Sequence, residues 1–191
     1  MKVSLATVNA LGEALTELHK RANAADIKVR WLAPASYHVT LKFIGWARPE
    51  VIDVIRDKIG EQLAGVSAFR FATKGLGAFP SADKARVVWA GVDNPGNELA
   101  TLAAKIDGAL ADLGFPSEKR EYRPHVTLGR LSVATAVESV LEWPAEHLFS
   151  NSLVESVILY ETEMKSGGSE HHVRHVWPLE SSSKRSKRQT E

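Results

Sequence analysis

The tetrapeptide His-Val-Thr-Leu occurs twice, at 38–41 and again at 125–128, once in each half of the 191-residue chain. A word repeated at that separation points to an internal duplication built around a paired site. Within a strand, side chains at i and i+2 share a face. His38 and Thr40 in one copy, and His125 and Thr127 in the other, therefore point one way, while Val39, Leu41, Val126 and Leu128 enter the core. If the halves pack as pseudo-symmetric lobes, the two imidazoles face each other across a cleft. One can then take a proton while the other gives one.

Imidazole is the side chain whose ordinary pKa lets it act as acid or base near neutrality. Two of them on opposite sides of a phosphorus centre suit in-line phosphoester chemistry: a neutral ring activates the nucleophile and a protonated ring gives its proton to the departing oxygen. Such a pair requires no metal or other cofactor. The hydroxyls of Thr40 and Thr127 can donate to the non-bridging oxygens and stabilise their charge. One copy alone would read as an ordinary strand, but packing does not select imidazole and hydroxyl twice among apolar neighbours.

Composition narrows the setting. Hydrophobic residues make up 44% and charged residues 25%, as in a globular chain with a sizeable core. A formal net charge of +1 argues against a broad duplex-binding footprint, so any nucleic acid is gripped locally. There is no cysteine, which excludes disulfide and thiolate chemistry. The apolar run at the N-terminus is too short for a signal segment and nothing later spans a membrane, so the chain reads as cytoplasmic.

Periodicity predicts a strand at 3–8, then a helix over 10–24 capped by Asn9, with Leu11, Ala14, Leu15 and Leu18 inward. A short strand at 28–32, a break at Pro34 and the first motif strand over 37–44 follow. Pro49 opens a helix whose stripe is Val51, Ile52, Ile55, Ile59 and Leu63. Strands are expected at 66–76 and 86–92, a helix at 97–113, the second motif strand at 123–131, a helix over 134–141, and strands at 153–162 and 172–179. The second half thus repeats the first, and the fold class is α+β, with two pseudo-symmetric lobes of mostly antiparallel sheet covered by helices. Residues 1–179 read as a single bilobal domain and 180–191 as a disordered basic tail in which Lys184, Arg185, Lys187 and Arg188 are solvated.

Several words carry a family resemblance: Arg30-Trp31 with Pro34, Tyr-His-Val-Thr-Leu-Lys-Phe-Ile-Gly at 37–45, Gly-Ala-Phe-Pro at 77–80, Arg-Val-Val-Trp-Ala-Gly-Val at 86–92 and Arg-Pro-His-Val-Thr-Leu-Gly-Arg at 123–130. Over about residues 1–179 the chain resembles the bacterial and archaeal RNA 2′,3′-cyclic phosphodiesterases, or 2′-5′ RNA ligase-like proteins, among the two-histidine phosphoesterases. The resemblance implies a central cleft carrying both motifs and metal-free hydrolysis of RNA 2′,3′-cyclic phosphate ends to 2′-phosphates. It implies His38 as proton donor, His125 as acceptor and Arg130 as a phosphate contact. The expected partners are RNA 3′ ends or small cyclic nucleotides. Alternatives are a phosphodiesterase for another small cyclic or 2′-5′-linked nucleotide, and a nucleotide-binding module without turnover.

Strict alternation puts Lys42 on the motif face, whereas Arg130 would leave it unless Gly129 permits a bulge. Phe43 and Phe79 could each stack on a base, with core packing favoured for Phe43. His171, His172 and His175 read as an exposed strand rather than a metal site, with His171 and His175 on one face. His19 and His147 read as surface residues.

Overall fold

The computed structural model describes residues 1–165 and 168–181. Its helices are α1 (Leu5–Ala24), α2 (Ile52–Leu63) and α3 (Glu98–Ala111). Its strands are β1 (Arg30–Trp31), β2 (Phe69–Phe79), β3 (Ala85–Asp93), β4 (His125–Thr135), β5 (Leu148–Val154), β6 (Ser156–Lys165) and β7 (Gly168–Pro178). One sheet runs β1-β4-β3-β2-β5 and the other is the β6-β7 hairpin, with every named pairing antiparallel. The architecture is the α+β class with antiparallel sheets that the sequence led us to expect, although the two sheets are unequal in strand number. Residues 166–167 and most of the basic tail lie outside the described residues.

The expected strand at 3–8 is instead the start of α1. Ser4, not Asn9, is the N-cap, its Oγ accepting from the Thr7 backbone N–H at 3.2 Å. The inward stripe is Thr7, Leu11, Ala14, Leu18 and Ala22. Its first member is a polar residue, buried because Thr7 Oγ1 meets Ser152 Oγ of β5 at 2.9 Å, and a count of apolar spacings misses it. The stripes of α2 (Ile55, Ile59, Leu63) and α3 (Leu99, Leu102, Ala103, Ile106, Leu110) fall where periodicity put them.

Two later elements also differ. No helix forms over 134–141: β4 continues to Thr135, and Val137 and Val140 are then buried one helical step apart, in a turn that docks through Val137 N–H on the Ala82 carbonyl. The expected strand at 153–162 is split at Glu155 between β5 and β6, which belong to different sheets. Val154 and Val157 are both buried across that break, a spacing that no single strand satisfies. The second half therefore does not repeat the first element by element. The hydrophobic core nonetheless joins both, with Val39, Val88, Val126 and Leu128 fully buried in one cluster with Leu11, Leu18, Leu99 and Leu110.

Candidate active site

The first motif lies between the N-terminal residues and β4. Val39 N–H donates to the Met1 carbonyl at 2.9 Å, and on its other side Val39 forms an antiparallel bridge with Val126. Only isolated bridges form here, rather than the full strand expected over 37–44, and a 3₁₀ turn at Pro34–Ser36 separates them from β1. An antiparallel couple carries a local two-fold axis. With Val39 opposite Val126, His38 falls alongside Thr127 and Thr40 alongside His125. Both valines are fully buried, so alternation turns both imidazoles and both threonines to the opposite face. The imidazoles form a diagonal couple, for which strand geometry sets a Cα separation of roughly 7–8 Å.

The two rings are held in the same way. His38 Nδ1 lies 2.8 Å from the Ser36 carbonyl oxygen, and His125 Nδ1 lies 2.7 Å from the Arg123 carbonyl oxygen, in each case two residues upstream. A carbonyl can only accept, so Nδ1 carries the proton and Nε2 is left for chemistry. Burial pushes both pKa values below the ordinary imidazole value, opposed by those carbonyl bonds. The charges of the N-terminus, His171 and His125 lower His38 further, and that of Arg130 lowers His125. Tyr122 Oη donates to the Thr40 carbonyl at 3.0 Å and braces the first motif.

Arg130 returns to the motif face. On β3, Val88 pairs with Gly129 and Trp89 with Thr127, so Leu128 is an extra residue in β4 and the strand bulges there. Past the bulge Arg130 pairs with Val87, which shares a face with Trp89 and hence with Thr127. Gly129 permits it: a Cβ there would come 2.6 Å from Val29 Cγ1 and 2.8 Å from the Trp31 ring. Arg30 of β1 lies directly opposite Arg130 and adds a second guanidinium to this face, which single-strand alternation could not show.

Lys42 does not join the motif face as a free cation. Its ammonium is nearly buried, paired with Asp107 of α3 and donating to the Pro116 carbonyl at 2.6 Å. Phe79 is at the site, its ring meeting that of His125 edge-on at 4.9 Å between centroids. Trp89 stands behind both, 5.1 Å from Phe79 and 6.3 Å from His125, over Gly77, where a Cβ would sit 2.3 Å from its ring. Phe43 is 76% exposed, not in the core.

The hairpin brings in residues the sequence reading set aside. His171 of β7 meets the His38 ring edge-on at 5.3 Å, and Tyr160 of β6 lies 6.0 Å from His38 and 5.9 Å from His171. An extra residue in β7 between the pairs Leu159–His175 and Tyr160–Val173 breaks the alternation, so His171 and His175 do not share a face; His175 packs on Trp177 at 4.6 Å. His172 joins Glu163 and Glu170 in a group that could hold a metal ion, but Lys165 already pairs with both carboxylates. No signal in one sequence predicts which bulge brings which histidine inward.

A sequence model of the 2′-5′ RNA ligase superfamily matches residues 10–163. The chain is 36% identical over 130 residues to the RNA 2′,3′-cyclic phosphodiesterase of Aeropyrum pernix, covering 67% of this chain and 72% of that one. It is 32% identical over 121 residues to the protein of that name from Methanothermobacter thermautotrophicus, covering 63% and 65%. Among solved structures, Escherichia coli LigT superposes in its apo form with a TM-score of 0.72 at 22% identity over 94% of each chain. LigT complexed with 3′-AMP gives 0.70 at 23% identity, over 93% of this chain and 94% of that one. This chain belongs to the 2′-5′ RNA ligase superfamily.

Proposed function

We propose that the chain hydrolyses RNA 2′,3′-cyclic phosphate termini to 2′-phosphates, with His38 as acid and His125 as base, within one domain spanning residues 1–179. The observation that carries this reading is the crossing of the two motifs at Val39 and Val126, which sets two Nδ1-tethered imidazoles on one face with Nε2 of each available. The relatives named RNA 2′,3′-cyclic phosphodiesterase supply the substrate class.

The cyclic phosphate sits between the rings. Nε2 of His125 takes a proton from water as the water oxygen bonds to phosphorus in line with the P–O3′ bond. That bond breaks, and protonated Nε2 of His38 delivers its proton to O3′. The hydroxyls of Thr40 and Thr127 and the Arg130 guanidinium face the non-bridging oxygens as charge gathers there. Both rings then exchange protons with solvent. Each proton transfer has its own side chain, so no step calls for a metal. No described helix is long and apolar enough to cross a membrane, and we place the activity in the cytoplasm, on RNA 3′ ends or small cyclic nucleotides.

The test is incubation of the purified protein in EDTA with 2′,3′-cyclic, 3′,5′-cyclic and 2′-5′-linked substrates, product regiochemistry being read by phosphorus NMR. A 2′-phosphate from the 2′,3′-cyclic end, formed in EDTA, is expected. A 3′-phosphate would reverse the choice of leaving oxygen. Loss of turnover in EDTA, restored by a divalent ion, would overturn the metal-free mechanism and turn attention to Glu163, Glu170 and His172.

A further inference from the structure

Arg30 and Arg130 stand directly opposite each other on β1 and β4. Like charges in that position repel, and a carboxylate between them would relieve it. None is there: both side chains are exposed, and neither guanidinium makes a hydrogen bond or ion pair among the described residues. Arg21, Arg56, Arg120, Arg123 and Arg174 each rest on a carboxylate instead. Val29 and Trp31, the neighbours of Arg30, close on the position a Gly129 Cβ would take. Arg30 therefore points to the other side, the one that carries the motifs.

The order of residues along β4 sets this pair relative to the chemistry. His125 stands level with Thr40, Thr127 with His38, and Arg130 with Arg30. The arginines thus lie beyond His38, two strand steps or roughly 7 Å from Thr127 once the extra residue at Leu128 is allowed for. In-line displacement puts the attacking water on the side of the base, and the ribose, which bears the departing O3′, on the side of the acid. Given the roles of His38 and His125 proposed above, on which this inference rests, the ribose is directed toward the arginines. Its 5′ oxygen carries the phosphodiester that joins the terminal nucleotide to the one before it. That group is a monoanion one backbone repeat from the cyclic phosphate, and a guanidinium suits it by charge and by its forked donors. With Arg130 turned to the reacting phosphate, Arg30 is the cation left for it.

We propose that Arg30 binds the phosphodiester immediately upstream of the terminal nucleotide, which makes an RNA 3′ end, rather than a free cyclic mononucleotide, the preferred substrate of this site. Recognition is by charge at the backbone and carries no base preference. Arg30 touches neither the cyclic phosphate nor a reacting atom, so it is a binding residue and not a catalytic one.

The experiment compares kcat/KM at low salt for three substrates: adenosine 2′,3′-cyclic phosphate, the adenosine dinucleotide ending in a 2′,3′-cyclic phosphate, and the same dinucleotide joined by an uncharged methylphosphonate. The wild-type chain should favour the charged dinucleotide about 10-fold over each of the others, the worth of one hydrogen bond to a charged group. That advantage should shrink as salt is raised. Arg30→Gln should bring the ratio of charged to neutral dinucleotide close to one, and Arg30→Lys, which keeps the charge, should retain part of it. Thermal melts establish that each variant is folded. Equal rates of the wild-type chain on the charged and neutral dinucleotides overturn the subsite with no variant needed. A ratio that Arg30→Gln leaves intact overturns it as well, and an equal loss on all three substrates would move Arg30 to the reacting phosphate. A wild-type chain that opens none of the three would sink the proposed function itself, a result distinct from turnover without a charge preference.

Discussion

Two influences of opposite sign meet at each imidazole: burial favours the neutral ring, and the tether to an upstream carbonyl favours the charged one, with burial the larger. With His38 as acid and His125 as base, as proposed, the acid limb of kcat/KM in the free enzyme should report His125 and the basic limb His38. With both lowered, the bell should peak on the acid side of the ordinary imidazole value of about 6.5. Arg130→Gln removes a charge that disfavours protonation of His125, so the acid limb should move to higher pH while the basic limb stays. A pH profile of kcat/KM for that variant checks it, and an acid limb that fails to move would detach Arg130 from His125. Alanine at either histidine should cost roughly 10²–10⁴ in rate. A substrate with an activated phenol as leaving group should rescue His38→Ala far more than His125→Ala. Equal rescue would remove the acid and base assignment. The residue chemistry was legible early because imidazole and hydroxyl at i and i+2 are informative wherever they recur. The partners of Lys42 were not, since Asp107 and the Pro116 carbonyl lie far along the chain.

At the scale of the element, the bulge at Leu128 decides whether Arg130 belongs to the site. Gly129→Ala forces Val29 and Trp31 to give way and should cost about 1–3 kcal/mol, as overpacking does. It should also weaken substrate binding more than stability alone explains, because Arg130 depends on the local register. Urea unfolding beside KM measures both, and an unchanged KM in a destabilised protein would separate the bulge from the site. Lys42→Met should do the reverse, lowering stability by about 1–3 kcal/mol with little change in kcat/KM. The pair is half-sheltered, Asp107 keeping 22% of its side-chain exposure, so a fully buried ion pair would cost more. A large fall in kcat/KM would return Lys42 to the site. Alternation tells which residues share a face only until an extra residue intervenes, as at Leu128 in β4 and between His175 and Val173 in β7. Gly129 marked the first as a possibility. Nothing marked the second.

For the whole molecule, the lowered imidazole pKa values tie stability to pH. Between the ordinary value and the depressed folded one, the unfolded chain binds protons that the folded chain does not. This contribution is therefore complete above about pH 6.5 and is lost as pH falls through the folded values. Asp107, held low by the Lys42 ammonium, and Glu118, held low by the Arg120 guanidinium, matter only further into acid. The N-terminal amine, pushed down to about 5 by burial, acts over the same span. The urea midpoint should fall between about pH 7 and pH 5.5, and a His38→Gln, His125→Gln double variant should lose the imidazole share of that slope and keep the rest. The same slope in the variant would assign it to other groups. At this scale the α+β class followed from the order of periodic stretches, while the strand count of each sheet did not, because pairing depends on which backbone groups are already taken: Val39 spends its own on Met1.

That last arrangement has a mechanical meaning. The gauge between the imidazoles is a property of one backbone couple, Val39 with Val126, welded into the core, and not of how wide the two sheets happen to stand open. The hairpin lies against His38 through Tyr160 and His171, so it sets the surroundings of that ring and not its distance from His125. Spacing and tuning thus rest on separate parts of the fold, so replacing the hairpin's aromatic residues should move the titration of His38 while leaving the pairing at Val39 and Val126 intact.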